Sequence, residues 1–559
     1  MADHNAVLRL VEYYSRYWIL LVTAFSINAL ILAYINKKLA KTARGFVPSL
    51  QENRRRIYAP NLTFVLLCAV AVLLSVNLTI NDIDIMESSN IAMAKKIISA
   101  DFLTFFNSAL VFAHQPLYPL MLNMVMRVFD PQQYALVLRL ISVFWATMAV
   151  YLAYRLSLAI FNKRALSYFV LFFLSANELF YFYSRRIEAY SFFCFLAMLS
   201  YYYFWEIFIS GRTRGLWKYV LVNILCFLAH YLTLFVIFSQ FLCVMILKFK
   251  KYIFIAEYMR FMKALAIFNF TLILASPQIF ISLLHNTAVF SQRDRDLYLG
   301  FDYAYGIVSN ILRFIFAAPF SGLFLCLFIF LSILLFLMAY RQNQIFFIMT
   351  GSLFLTCLVF QLLTMLRMGQ QINRLYPSFR YIIFVVPFTV MAYGCCLFFE
   401  NAKLPRRIAA FALVSFIFIC NIQQSRAFCL QRSSPEYKRS ADFIKKEFKS
   451  GDCIAYPGDW FKGIVDMNFG NGYRYFGVKT AKNMEIIEEV RILSKAKKTG
   501  YERVWVTIPH EDCFGVPHIN PLFLNEYSDF FKKNLSYIKS WHGDKIDVYL
   551  FARKDREAL

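Results

Sequence analysis

The residues best able to do chemistry in this chain form a short acidic run, Asn81-Asp82-Ile83-Asp84-Ile85-Met86-Glu87, where a strongly apolar segment ends. A carboxylate held at such a boundary is partly desolvated, and the nearby low dielectric raises its basicity. A group of that kind can take the proton of an attacking hydroxyl as a general base. The same acids can cap the helix expected over residues 88–100 and complement its N-terminal dipole, and both roles can hold together. Other polar side chains stand at segment ends downstream: His114 and Tyr118 in His-Gln-Pro-Leu-Tyr-Pro, then Arg139, then Arg185, Arg186, Glu188 and Tyr190 in Tyr-Ser-Arg-Arg-Ile-Glu-Ala-Tyr. His230-Tyr231 and Arg380-Tyr381 complete the set. No His, Cys and Asp cluster has metal-ligand spacing, although Asp82 with Asp84 could hold a divalent ion. Gly470-Asn471-Gly472 does not follow a strand and open a helix at dinucleotide-fingerprint spacing, so it reads as a surface turn.

What must position these residues is a set of apolar segments. The chain has 559 residues, 60% of them hydrophobic and 19% aromatic, too apolar for an ordinary soluble protein. Runs long enough to cross about 30 Å of hydrocarbon occur near 17–36, 60–79, 136–161, 166–184, 190–209, 218–230, 231–247, 264–284, 318–340, 345–366, 381–399 and 408–424, about twelve in all. The 12 cysteines are scattered without a CxxC pair and read as small core residues, with only Cys429, Cys453 and Cys513 placed where a disulfide is possible. The net charge of +25 suggests nucleic acid at first sight. Its distribution excludes that partner, because the basic residues sit in short runs between apolar segments, as the positive-inside rule places them.

Residues 37–57 carry seven Lys and Arg against Glu52 alone and therefore belong on the cytoplasmic side. Parity then puts the loops at 162–164, 211–218, 248–263, 341–344 and 403–407 on that side as well. The opposite face receives the first long loop, 80–135, the stretches 285–306 and 367–380, and the whole tail from about 430. In the tail, strand-like runs at 452–456, 503–508 and 547–551 alternate with helical stretches at 436–449 and 483–498, which predicts a small α/β domain.

The order of these features resembles the membrane-embedded GT-C glycosyltransferases, within them the relatives of protein O-mannosyltransferases and lipid A aminoarabinose transferases. It consists of an acidic motif opening a long first external loop, a His-x-Pro-Leu-Tyr element closing it, the Arg-Arg-Ile-Glu junction, Ala-His-Tyr at 229–231, and Arg380-Tyr381 ahead of Pro387. The likeness runs from about 60 to 400 and more weakly through the tail. One departure is that the family's Asp-Glu at the start of the loop is Asp84-Ile85 here, with Asp82-Ile83 as the rival alignment.

The resemblance implies a polytopic all-α transmembrane bundle of GT-C type with a small C-terminal extracytoplasmic α/β domain. Its divisions would be an extra helix and basic loop at 1–58, the glycosyltransferase domain at 59–429 and the soluble domain at 430–559. The implied reaction moves a sugar from a polyprenyl-phosphate donor to a hydroxyl on a lipid, glycan or protein, with inversion. Asp84, or Asp82, would be the base, and Glu188 or Asp82 would orient sugar or acceptor. Arg380, Arg185 and Arg186 would receive the departing lipid phosphate, since guanidinium stays protonated and grips two oxygens at once. His114, Tyr118, Arg139, Tyr190, His230, Tyr231 and Tyr381 would line the cavity. The resemblance implies a reaction that runs without a divalent metal, so neither metal nor cofactor is expected here, and a bacterial inner membrane is the expected location. A multi-span transporter is the rival reading, against which stand the tail domain and the lack of repeated halves.

Overall fold

The computed structural model describes residues 60–78, 85–99, 116–129, 134–211, 215–275, 343–368, 383–398, 404–430, 437–457, 475–478, 503–509, 535–542 and 546–553, with isolated positions beside them. The helices are α1 (Pro60–Ser75), α2 (Ile85–Ser99), α3 (Leu117–Met126), α4 (Tyr134–Phe161), α5 (Arg164–Ala176), α6 (Glu178–Ser184) and α7 (Tyr190–Phe204), which ends in a π-turn (Trp205–Ile209). After these come α8 (Leu216–Ala229), α9 (Thr233–Phe249), α10 (Ile255–Ala275), α11 (Gln344–Met368), α12 (Val386–Leu397) and α13 (Leu404–Leu430). The tail holds α14 (Tyr437–Glu447) and strands β1 (Asp452–Pro457), β2 (Tyr475–Val478), β3 (Arg503–Pro509), β4 (Leu535–His542) and β5 (Ile546–Arg553).

Among the described residues, Ala135–Phe161 and Tyr190–Ile209 are long and apolar enough to cross a membrane, and α5 with α6 qualifies as one bent span. Shorter apolar helices stand at six more of the expected positions, Leu62–Ser75, Leu216–Ala229, Thr233–Phe249, Gln344–Val359, Ile383–Leu397 and Ala410–Gln423. The expected runs at 17–36 and 318–340 lie largely outside the described residues. Residues 255–263, within the stretch read from the sequence as a cytoplasmic loop, form the first turns of α10. Glu257 and Arg260 pair across one turn of α10 (3.8 Å), which lets charged residues occupy a helix end.

The bundle has a continuous apolar interior, and large apolar side chains also face outward, such as Phe64 (67% exposed) and Phe411 (66%). Outward apolar faces on helices that already bury a core are what lipid as solvent requires. Local sequence explains the joints. Asn162 takes a left-handed φ of 53° between α4 and α5, a conformation Asn tolerates better than most residues. The expected continuous span 166–184 breaks at Asn177 into two helices bent by 65°. Asn177 caps α6 by accepting from the Phe180 amide (3.0 Å), and Asn421 of α13 accepts from both Asn177 Nδ2 and the Glu178 amide (3.1 Å each). An Asn cap and first-turn Glu178 were the readable signal for that break.

The tail domain is a five-stranded sheet ordered β2-β1-β3-β5-β4, with β1 parallel to both neighbours and β5 antiparallel to β3 and β4. The expected strands appear as β1, β3 and β5. α14 lays Ile444 and Phe443 on a core of Ile454, Trp505, Val548 and Leu550.

Candidate functional site

The segment joining α6 to α7 is the centre of the site. It is a tight turn, with the Glu188 amide donating to the Arg186 carbonyl (2.8 Å), and Ser191 at the start of α7 closes it by donating to the Tyr183 carbonyl (3.0 Å). Within it, Arg186 Nε donates to Glu188 Oε1 at 2.6 Å. The two side chains differ in access, Glu188 being 5% exposed and Arg186 22%. The Arg186 guanidinium also lies over the Phe182 ring (4.8 Å). Arg185 turns the other way, donating to Tyr181 Oη (2.7 Å) and to the Val76 carbonyl at the exit of α1 (2.5 Å).

The turn is gripped from α2. Ile187 is fully buried, its amide donates to Glu87 Oε1 (3.0 Å), and its carbonyl accepts from Asn90 Nδ2 (2.9 Å). Glu87 is itself held by Arg139, whose Nε donates to Oε1 (2.9 Å) and Nη2 to Oε2 (2.6 Å), while Nη1 donates to the Leu78 carbonyl (2.8 Å). Four pieces of chain therefore meet at one buried ion pair: the exit of α1, the first turn of α2, the start of α4 and the α6–α7 turn. The sequence reading counted Glu87 among the loop acids without a role of its own. A signal was present, because Glu87 shares a buried helical stripe with Ile91 and Ala94.

An aromatic wall continues from the turn. Tyr190 contacts Tyr183 (5.2 Å) and His230 (5.6 Å), His230 contacts Phe193 (5.2 Å), and Phe193 contacts Phe384 (5.4 Å), four positions after Arg380 in the sequence. His230 ends α8 and accepts at Nδ1 from the Leu232 amide (3.2 Å), which in the neutral ring puts the proton on Nε2. Tyr231 packs on Phe227 (5.4 Å). Tyr118 is buried at the first turn of α3, where the charges of Glu188 and Glu87 act on it; Ser142 stands beside its hydroxyl, but outside ordinary hydrogen-bond geometry.

The structure thus brings Arg185, Arg186, Glu188, Tyr190, Arg139, Tyr118 and His230 into one region, with Tyr231 beside it. Asp82, Asp84, His114, Arg380 and Tyr381 lie outside the described residues. Among those described, no group of three or more His, Cys, Asp or Glu could hold a metal ion. Chemically, the turn offers a shielded carboxylate beside a more accessible guanidinium, able to orient a hydroxylated ligand and to meet an anion.

No protein-family model matches the chain, and no curated protein matches it in sequence. Its structure does match solved ones. The apo form of ArnT from Cupriavidus metallidurans superposes with a TM-score of 0.54 at 11% identity, covering 88% of this chain and 98% of that one. The same protein bound to undecaprenyl phosphate gives 0.51 at 8%, with the same coverage. The chain therefore shares the fold of these structures, a bundle of largely apolar helices with a small C-terminal sheet.

Proposed function

We propose that this protein is an integral membrane glycosyltransferase that moves a sugar from a polyprenyl-phosphate carrier to the hydroxyl of a lipid, polysaccharide or protein at the extracytoplasmic face of a bacterial inner membrane, inverting the anomeric centre. The observation that carries the reading is the Arg186–Glu188 turn, clamped against the helix that directly follows the acidic motif, within a fold shared with a structure that holds undecaprenyl phosphate. In this reading Asp84, with Asp82 as alternative, accepts the proton of the attacking hydroxyl. The hydroxyl oxygen attacks the anomeric carbon from the face opposite the phosphate, and the glycosidic C–O bond breaks with its electron pair going to the phosphate oxygen. Glu188 orients the sugar or the acceptor. Arg186, Arg185 and Arg380 stabilise the charge that grows on the leaving phosphate, in a setting where low dielectric strengthens each contact.

The test is to supply a polyprenyl-phosphate sugar to the full-length protein in detergent. Release of polyprenyl phosphate with sugar transferred to an acceptor supports the reading, and its loss in Asp84→Asn with folding intact assigns the base. Because no sealed compartment is present, turnover of this kind also excludes pure transport. Wild-type protein that leaves every such donor intact, or Asp84→Asn and Asp82→Asn proteins that both turn over at the wild-type rate, would overturn the assignment.

A further inference from the structure

We infer that Glu87, Arg139 and Asn90 are positioning residues, forming a clamp through Ile187 that sets α2, the helix directly after the acidic motif in the sequence, against the Arg186–Glu188 turn. The inference rests on the proposed reaction and assigns Arg139 a task other than lining the substrate cavity. Both Glu87 oxygens and three Arg139 nitrogens are committed to contacts within the protein: the bidentate pair, the Leu78 carbonyl and the Ile187 amide. Arg139 is thereby a brace that binds no donor phosphate.

A buried ion pair adds little net stability over an apolar pair of the same volume, so its value lies in fixing one arrangement. What it fixes is specific. Ile187 stands between Arg186 and Glu188, and both of its backbone polar groups are taken by α2, one by Glu87 and one by Asn90. The candidate base, Asp84, precedes Glu87 by three positions in the sequence. The clamp therefore ties the first turn of α2, which begins directly after the acidic motif in the sequence, to the turn that carries Arg186 and Glu188, through hydrogen bonds no longer than 3.0 Å. A shift of about 1 Å between reacting groups can lower a rate by about 100-fold.

The test uses the full-length protein in detergent with Glu87→Gln, Asn90→Ala, Arg139→Gln and Arg139→Lys. Two readouts are taken: amide hydrogen exchange of the peptide containing Ile187, and steady-state kinetics on a polyprenyl-phosphate sugar. Glu87→Gln sets a neutral amide against the Arg139 guanidinium and Asn90→Ala removes the bond to the Ile187 carbonyl, so in each the turn opens more readily and exchange at Ile187 is expected to quicken by about tenfold. In Glu87→Gln, kcat is expected to fall by about 100-fold with the donor KM within about twofold of wild type. Arg139→Lys should restore part of the kcat that Arg139→Gln loses. Unchanged exchange in both Glu87→Gln and Asn90→Ala overturns the clamp. A raised donor KM with kcat preserved in the Arg139 variants also overturns it, because that pattern marks a direct donor ligand. If Glu87→Gln fails to fold, Asn90→Ala decides on the same readouts, since it leaves the ion pair in place. Wild-type protein that protects Ile187 yet consumes no polyprenyl-phosphate sugar sinks the reaction instead, and that result is distinguishable from failure of the clamp.

Discussion

Arg186 and Glu188 are joined across a single intervening residue both by their side chains (2.6 Å) and by the Glu188 amide donating to the Arg186 carbonyl (2.8 Å), and the arginine side chain is the more accessible of the two. That asymmetry separates their expected roles. Arg186→Lys keeps the positive charge but gives up the planar fork that grips two phosphate oxygens. Its expected effect is a donor KM raised about tenfold, the size of one charge-assisted hydrogen bond, with kcat changed less. Steady-state kinetics with the donor varied at saturating acceptor measures this; an unchanged KM removes Arg186 from the donor site.

Glu188→Gln keeps the shape of the side chain and removes its charge. An acid that orients a sugar hydroxyl in the transition state acts mainly on kcat, with about a 100-fold fall expected for loss of such a group. An acid that merely holds Arg186 in place would instead reproduce the KM effect of Arg186→Lys. Comparison of the two variants and their double mutant decides between these roles.

How far the sequence told this story differs by level. Apolar run length located most helices of the bundle, although α3 lies within what was expected as external loop, and short apolar strand-like runs located β1, β3 and β5. β4 escaped because it is an edge strand whose alternation slips at an irregularity between Tyr537 and Lys539, and β2 escaped because it has only four residues. In the site, the Arg-Arg-Ile-Glu segment was recognisable as a group, but its grip on α2 was not. Glu87 and Arg139 are 52 positions apart, and Glu87 and Ile187 are 100 apart. Pairings over such distances depend on tertiary packing, which no local pattern encodes. The aromatic wall was half legible: His230 and Tyr190 stood out singly, whereas their contact depends on how α7 meets α8.

In the tail domain, Asp452 is buried and accepts from Arg503 Nε (2.7 Å) and Nη2 (2.6 Å), from the Lys449 amide (2.9 Å) and from Trp505 Nε1 (2.9 Å). Burial alone would raise its pKa, but the Arg503 guanidinium with the amide and indole donors outweighs that and holds the carboxyl below its usual range. With the folded pKa depressed, the stabilisation is fully present above the unfolded value of about 4 and is lost as pH falls through the folded pKa. Trp505 fluorescence during denaturant unfolding at a series of pH values should show stability of the tail declining below about pH 4, with the Asp452 share absent from Asp452→Asn. An identical decline in both proteins would place the acid sensitivity elsewhere.

A buried polar network ties α7, α8 and α9 inside the bundle. Tyr219 Oη donates to Gln240 Oε1 (2.5 Å), Gln240 Nε2 donates to Ser200 Oγ (3.0 Å), and Ser200 donates to Asn223 Oδ1 (2.9 Å). Every link has its partner, so the network reads as interhelical adhesion. Gln240→Leu should cost about 1 to 2 kcal/mol in thermal or denaturant unfolding, because it strands the Tyr219 hydroxyl, and should leave kcat near wild type. A selective loss of kcat without loss of stability would assign these residues to the reaction instead.

Close contact between α5 and α12 depends on Gly394. A Cβ at that position would meet Phe169 Cδ1 at 3.0 Å and Leu166 Cγ at 3.2 Å, tighter than side chains normally approach. Leu166 is buried in the core, and Phe169 is boxed in by Phe173 (5.3 Å) and Phe398 (6.3 Å), so neither has an easy way to yield. Gly394→Ala should therefore overpack the joint and cost about 1 to 3 kcal/mol, partly offset by the better helix propensity of Ala. Pairing it with Leu166→Ala, which opens space beside the new methyl, should recover part of the loss beyond additivity in a double-mutant cycle on unfolding free energy. A neutral or stabilising Gly394→Ala would mean that α5 and α12 separate freely at this point, and that the glycine is there for its backbone alone.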